Sequence, residues 1–194
     1  MACLLTDGRG LECRTAIGGI RNVYFINNGD AGAYTVGSNG ELTDLGAAST
    51  AFQYALNPQG SNFDETVTVS EENGTVFYEQ ALTLSLPNLS ITALKALKEL
   101  VQGRFQVFVE DNNINVTTGH GALTLAGAYN GMTVTAGNVA RGQAFGDMSG
   151  YNLTFTGRES GAAIGVVAAD TAGETIFQGL TTAANQPTID DGSW

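Results

Sequence analysis

Lysine is nearly missing from this chain. Lys95 and Lys98 are the only two in 194 residues, and charged residues of every kind make up 14%, against about a quarter in ordinary globular proteins. With 8 Lys+Arg against 19 Asp+Glu, the formal net charge is −11. Such a chain is poorly equipped to grip nucleic acid, because that affinity comes from cations neutralising phosphates. Its negative field favours solubility, and it would also let DNA slide past without sticking. The two cysteines, Cys3 and Cys13, are too few for a disulfide framework. A bridge between them stays open, but free thiols are the expectation for a protein made in the cytosol. No apolar run approaches the roughly 20 residues of a membrane span. The opening MACLLTDGRG has no basic stretch followed by an apolar core, so neither a secretory signal nor a membrane partner is expected.

Catalytic equipment is equally scarce. The chain has no Gly-x-Ser-x-Gly nucleophile elbow and no phosphate loop ending in Gly-Lys. Its one histidine, His120, sits between Gly119 and Gly121. It reads as structural or solvated, because nothing places a serine and an acid beside it. No Cys or His pair has metal-ligand spacing. Asp111 to Asn115 (DNNIN) imitates the first half of a calcium loop, but the glycine and closing glutamate positions hold Val116 and Ala122. The pairs Asp64-Glu65, Glu71-Glu72 and Asp190-Asp191 are adjacent in sequence, so on a strand they point to opposite faces. Asn-x-Ser/Thr triplets at Asn73, Asn88, Asn115 and Asn152 reflect only an Asn/Thr-rich composition. The expectation is a protein without enzymatic activity, cofactor or metal.

What the chain does have is alternation. One domain over 1–194 is expected, with an N-terminal arm over 1–22, a β core over 23–168 and an extended C-terminal segment over 169–194. Strands are predicted at Asn22–Ile26 and Ala33–Val36, more weakly at Glu41–Leu45 and Ala51–Leu56, with a loop over Asn57–Phe63. Thr66–Ser70 alternates, and Glu72–Gly74 supplies a turn. The long run Val76–Leu86 then puts Val76, Tyr78, Gln80, Leu82, Leu84 and Leu86 on one face. Phe77, Glu79, Ala81, Thr83 and Ser85 share the other, which is only partly apolar. Pro87 ends the strand. Asn88 or Ser90 caps a helix over 90–102 with an apolar stripe of Ile91, Leu94, Leu97 and Val101, stopped by Gly103. Both lysines lie opposite that stripe, so the helix is read as a lid with one solvated face. Phe105–Asp111 follows as a strand, with Phe108 and Glu110 facing one way. Further strands are predicted at Ile114–Thr117, Ala122–Gly127, Met132–Ala136, Tyr151–Arg158 and Ala163–Ala168, with Gly137–Gly150 as a loop.

Two segments, 45–63 and 112–140, contain no Asp, Glu, Lys or Arg. Burial in the core would explain them. So would cover from neighbouring subunits, since interface centres are depleted in charge.

The order strand, long strand, helix, strand over 64–111, extended by Tyr151–Arg158, resembles the tail tube proteins of bacteriophages and of related contractile injection systems. The resemblance covers about 64–160 and rests on patterns rather than on a diagnostic motif. It implies a mainly β fold, a β-sandwich or rolled antiparallel sheet with one flanking α-helix. It also implies a virion structural protein whose hexameric rings stack into a hollow tube. DNA would be passing cargo rather than a bound ligand. Partners would be the chain itself and possible sheath, baseplate and tail terminator proteins. The location would be the virion tail, after synthesis in the host bacterial cytoplasm. Candidate lumen or subunit-interface residues are Glu79, Ala81, Thr83, Ser85, Phe108 and Glu110. The alternatives are another virion part (a tail terminator, head-tail connector or capsid decoration protein), a monomeric β-sandwich binding module, or an enzyme using His120. The binding module would need an exposed aromatic patch.

Overall fold

The computed structural model describes residues 16–30, 35–38, 40–44, 50–57, 60–87, 91–114, 121–166 and 181–184. In chain order the elements are β1 (Ile20–Asn27), β2 (Thr35–Val36), β3 (Leu42–Asp44), β4 (Thr50–Ala55), β5 (Asn62–Ser70), β6 (Thr75–Pro87), α1 (Ile91–Gln102), β7 (Phe105–Asp111), β8 (Leu123–Ala126), β9 (Thr133–Ala140), β10 (Gly150–Glu159), β11 (Ile164–Val166) and β12 (Thr181–Ala184). They form an eight-stranded sheet in the order β12-β4-β1-β7-β8-β11-β3-β2 and a four-stranded sheet in the order β5-β6-β10-β9. The small sheet is antiparallel throughout. The large one is mixed, because β11 runs parallel to β3 and β12 parallel to β4.

The sandwich follows from period-two alternation. Val23 and Phe25 of β1, with Phe105, Val107 and Val109 of β7, meet Leu82 and Leu84 of β6 and Leu153 and Phe155 of β10 in one buried cluster. Phe25 sits at its centre. Its ring lies edge-on to Tyr54 and Phe105, at 5.3 and 5.7 Å, and tilted against Phe155 at 5.2 Å. The opposite faces of β1 and β7 are buried too. Tyr24, Ile26 and Phe108 join Leu42 of β3, Ala51 of β4 and Leu123 and Leu125 of β8 in a second cluster. Strands near opposite ends of the large sheet share that cluster, so the sheet curls around its own far face. This is why the middles of β1 and β7, Val23–Ile26 and Val107–Val109, are unbroken apolar runs: each is covered on both sides.

The helix closes the first cluster. Leu97 and Leu100 turn inward, and Lys95 and Lys98 face solvent. Val101, expected on the apolar stripe, is 49% exposed. Leu97 and Leu100 are three residues apart, and the helix is rolled so that this pair rather than Leu97 and Val101 meets the sheet. Ile91 and Leu94 have side chains outside the described set. Gly103 still donates to the carbonyl of Glu99 at 3.0 Å. Glycine is needed there for close approach, since a Cβ would lie 2.2 Å from the Phe105 ring.

Several expected boundaries move. The first strand begins at Ile20, inside the expected arm. The 57–63 loop gives way to strand at Asn62. The predicted loop over 137–150 is strand as far as Ala140. Its pattern hides this because Gly137 offers no side chain, and a Cβ there would press within 2.8 Å of Leu153. The C-terminal segment, expected to be extended and lacking periodicity, contributes β12, a parallel edge strand beside β4. Ile114 lies outside any strand, while 115–117, 167–168, Cys3, Cys13 and His120 fall outside the described residues.

Candidate assembly surface

The outward face of the four-stranded sheet is built by alternation. On β6 it carries Phe77, Glu79, Ala81, Thr83 and Ser85, all partly buried. Across the ladder they face Arg158, Thr156, Thr154 and Asn152 on β10 and Thr66, Asp64 and Asn62 on β5. Thr135 on β9 bonds Thr156 hydroxyl to hydroxyl at 2.8 Å. The result is a sheet face of hydroxyls, amides and small side chains. Its one ion pair, among the described residues, joins Arg158 Nε to Glu79 Oε2 at 3.0 Å, with side-chain exposures of 72% and 39%. An open pair of this kind contributes about 0–1 kcal/mol, so it orients side chains more than it stabilises the sheet. The Arg158 guanidinium also lies 5.9 Å from the centre of the Phe77 ring.

The structure therefore brings Glu79, Ala81, Thr83 and Ser85 together on one accessible face. It separates them from Phe108 and Glu110. Phe108 is 0% and Glu110 1% exposed, and both lie inside the curl of the large sheet. Neither offers surface to a lumen or a neighbour, so these two candidates are corrected to interior residues. Glu110 is a structural carboxylate. Its Oε2 accepts from Asn22 Nδ2 at 2.7 Å and from the Tyr24 hydroxyl at 3.0 Å. Its Oε1 accepts from the Gly121 N–H at 3.0 Å. Burial, and then the nearby Glu110 charge, hold the Tyr24 phenol well above its ordinary value.

The sheet ends abruptly on both sides. Among the described residues β5 and β9 have one strand neighbour each. Five successive residues of β9, Thr135–Val139, are exposed, and none of its eight residues is charged. Most of β5 is exposed as well, with acidic residues only at Asp64 and Glu65. The charge-free segment 112–140 thus divides. Its β8 part is core and its β9 part is an open edge.

No family model, no curated protein and no solved structure matches this chain. No helix among the described residues is long and apolar enough to cross a membrane.

Sequence reasoning missed the buried polar anchors that set the position of the small sheet. Gln80, 1% exposed, accepts from Gly127 N–H at 2.8 Å and donates to Glu65 Oε1 at 3.1 Å. Glu159 accepts from Asn130 N–H at 2.8 Å. The available signal was an amide inside an otherwise apolar alternation, since a buried polar group needs a partner. The calcium-like run has a local role. Asp111 Oδ1 accepts from the N–H groups of Asn113 and Ala122 at 3.0 and 2.8 Å, closing the turn after β7.

Proposed function

We propose that this chain is a virion structural protein, a tail tube subunit. Its copies join edge to edge into hexameric rings, and the rings stack into a hollow conduit for DNA. The observation that carries this reading is the pair of edges, β5 and β9, that the described residues leave open on the four-stranded sheet. Long, exposed edges without protecting lysine or proline invite pairing with another chain. Strand directions alternate across β5-β6-β10-β9. With copies related by rotation about an axis along the strands, β9 of one copy and β5 of the next run antiparallel. The ladder then continues from copy to copy and closes without a free edge.

The dimensions agree with a conduit. Six copies of a four-stranded sheet make 6 × 4 = 24 strands. At ~4.8 Å per strand the circumference is roughly 115 Å and the diameter about 37 Å, more if the strands tilt. Side chains lining the wall leave a bore that admits a duplex. The face carrying Glu79, Ala81, Thr83 and Ser85 then lines the lumen, where the few charges and the −11 balance of the chain discourage phosphate binding. In this reading the protein acts in the virion tail, after synthesis in the bacterial cytoplasm. Sheath, baseplate and terminator proteins are its further partners.

Electron microscopy and native mass measurement of the purified chain test this. Rings of six and hollow tubes are expected. A chain that stays monomeric at high concentration would sink the reading, and a lone ring that never stacks would favour a terminator or connector.

A further inference from the structure

The two ends of the four-stranded sheet differ, and each carries an unusual apolar feature. At one end β9 and β10 are joined by the loop 141–149, beside the end of β6, since Gly150 pairs with both Ala140 and Pro87. Phe145 stands at the apex of this loop, fully exposed at 114%. The loop that holds it is built. Asp147 Oδ2 accepts from the N–H groups of Gln143 and Ala144, both at 2.8 Å, and Asp147 N–H donates to Ala144 O at 3.0 Å. Gly142 takes the left-handed conformation at φ 68°, and Ser85 Oγ donates to Met148 Sδ at 3.1 Å, fastening the loop to β6. An aromatic ring held out on a fixed turn has the form of an interface anchor, which loses little entropy on docking.

At the opposite end the β5–β6 hairpin overhangs its neighbours. The last β6 residue with a β10 partner is Tyr78, facing Glu159. The ladder pairs Thr68↔Phe77, Val69↔Val76 and Ser70↔Thr75 continue beyond it, a projection of about 10 Å. Cross-strand partners share a face, so Val67, Val69, Val76 and Tyr78 lie together. They extend the inner face that carries Gln80, Leu82 and Leu84. Past the sandwich this face lacks cover among the described residues: Val67, Val69 and Val76 are 52%, 61% and 48% exposed. The Phe145 loop has one cation to set against the acids of the hairpin, and its one acid, Asp147, is turned onto the loop's own Gln143 and Ala144 N–H groups. Glu71 and Glu72 form the hairpin turn, while Arg141 opens the Phe145 loop and is the only Lys or Arg between Arg104 and Arg158.

We propose that Phe145 of one copy seats on the Val67–Val69–Val76–Tyr78 face of the next copy along the strand axis. Arg141 then approaches the Glu71–Glu72 turn. Knob and socket are different surfaces at opposite ends, so the contact is head-to-tail and propagates as a filament. This rests on the self-assembly reading above and assigns its axial contact.

Phe145→Ser tests it, with Phe145→Cys/Val69→Cys in a Cys3→Ser, Cys13→Ser background as the second probe. Phe145→Ser should keep the wild-type melting temperature and still form rings. It should raise the concentration needed for filaments roughly tenfold or more. Oxidised double-cysteine assemblies should give a ladder of disulfide-linked multimers on denaturing gels. Filaments unaffected by Phe145→Ser, or no ladder from assembled protein, would overturn the contact while leaving self-assembly standing, and would assign the knob to a different partner. Loss of rings as well as filaments would also overturn it, by placing Phe145 in the ring contact. A wild-type chain that never assembles would remove both readings together.

Discussion

Phe25 on β1 and Phe155 on β10 hold the two sheets together, their rings tilted at 40° with centroids 5.2 Å apart. Both are buried, at 1% and 0% exposure. Replacing Phe155 with Ala should cost about 3–5 kcal/mol of unfolding free energy. Urea denaturation followed by tryptophan-independent circular dichroism would measure it. A loss well under 1 kcal/mol would mean that the sheets are not joined there.

Ala81 lies mid-strand on the accessible face of β6, opposite Asp64 and Thr156. Ala81→Arg should leave the monomer within roughly 0.5 kcal/mol of wild type, because an open face tolerates such changes. In the proposed tube it should also impair assembly or narrow the passage, as seen by sedimentation and microscopy. Wild-type assembly with a passage of unchanged width would remove this face from both the lumen and the interface.

The Tyr24 hydroxyl donates to the buried carboxylate of Glu110 at 3.0 Å. Tyr24→Phe removes a donor from an interior charge, at an expected cost of about 1–3 kcal/mol. The pH dependence has a definite sign. The folded phenol is raised above its ordinary value of 10.0 by burial and then by Glu110, so the unfolded chain ionises first. Wild-type stability should therefore be retained below that pH and fall as pH rises through and above it. Tyr24→Phe should flatten that part of the alkaline fall, in melts recorded from neutral pH upward.

Asp147 behaves in the opposite sense. The N–H groups of Ala144 and then Gln143 hold its carboxyl below the ordinary 3.8. The order it gives the Phe145 loop should be complete above that value and be lost as pH falls through the lowered one. Carboxyl chemical shifts from an NMR titration would show it. A midpoint at or above the ordinary value would mean that the turn is not closed by this side chain. Asp147→Ala should loosen the loop at all pH values and weaken filament formation without changing the core.

Much of the fold was legible because alternation is a local signal. Val76–Leu86 declared a strand with two unlike faces. The run over 105–111 declared a strand, and Pro87 and Gly103 bracketed a helix. The same signal misled where a side chain was absent or a partner was distant. Gly137 hid the second half of β9, since its fit against Leu153 exists only once the sheet has formed. β12 showed no period of its own, because what makes it a strand is the edge of β4. On the candidate surface, Glu79, Ala81, Thr83 and Ser85 could be grouped from period two alone. Phe108 and Glu110 were misassigned, because alternation says which residues share a face and not what covers that face.

By itself the sequence determined the composition available to the surfaces: few charges, hardly any lysine, and strands with one apolar side. These are properties of residues and their near neighbours, so they survive without a fold. Only the tertiary structure decided that the large sheet curls and buries both faces of β1 and β7. Among the described residues it alone left β5 and β9 as open edges, and put Phe145 and the valine face at opposite ends of one sheet. Those relations depend on strand order and direction, which arise from contacts between segments far apart in the chain. Local pattern cannot encode which strand becomes an edge.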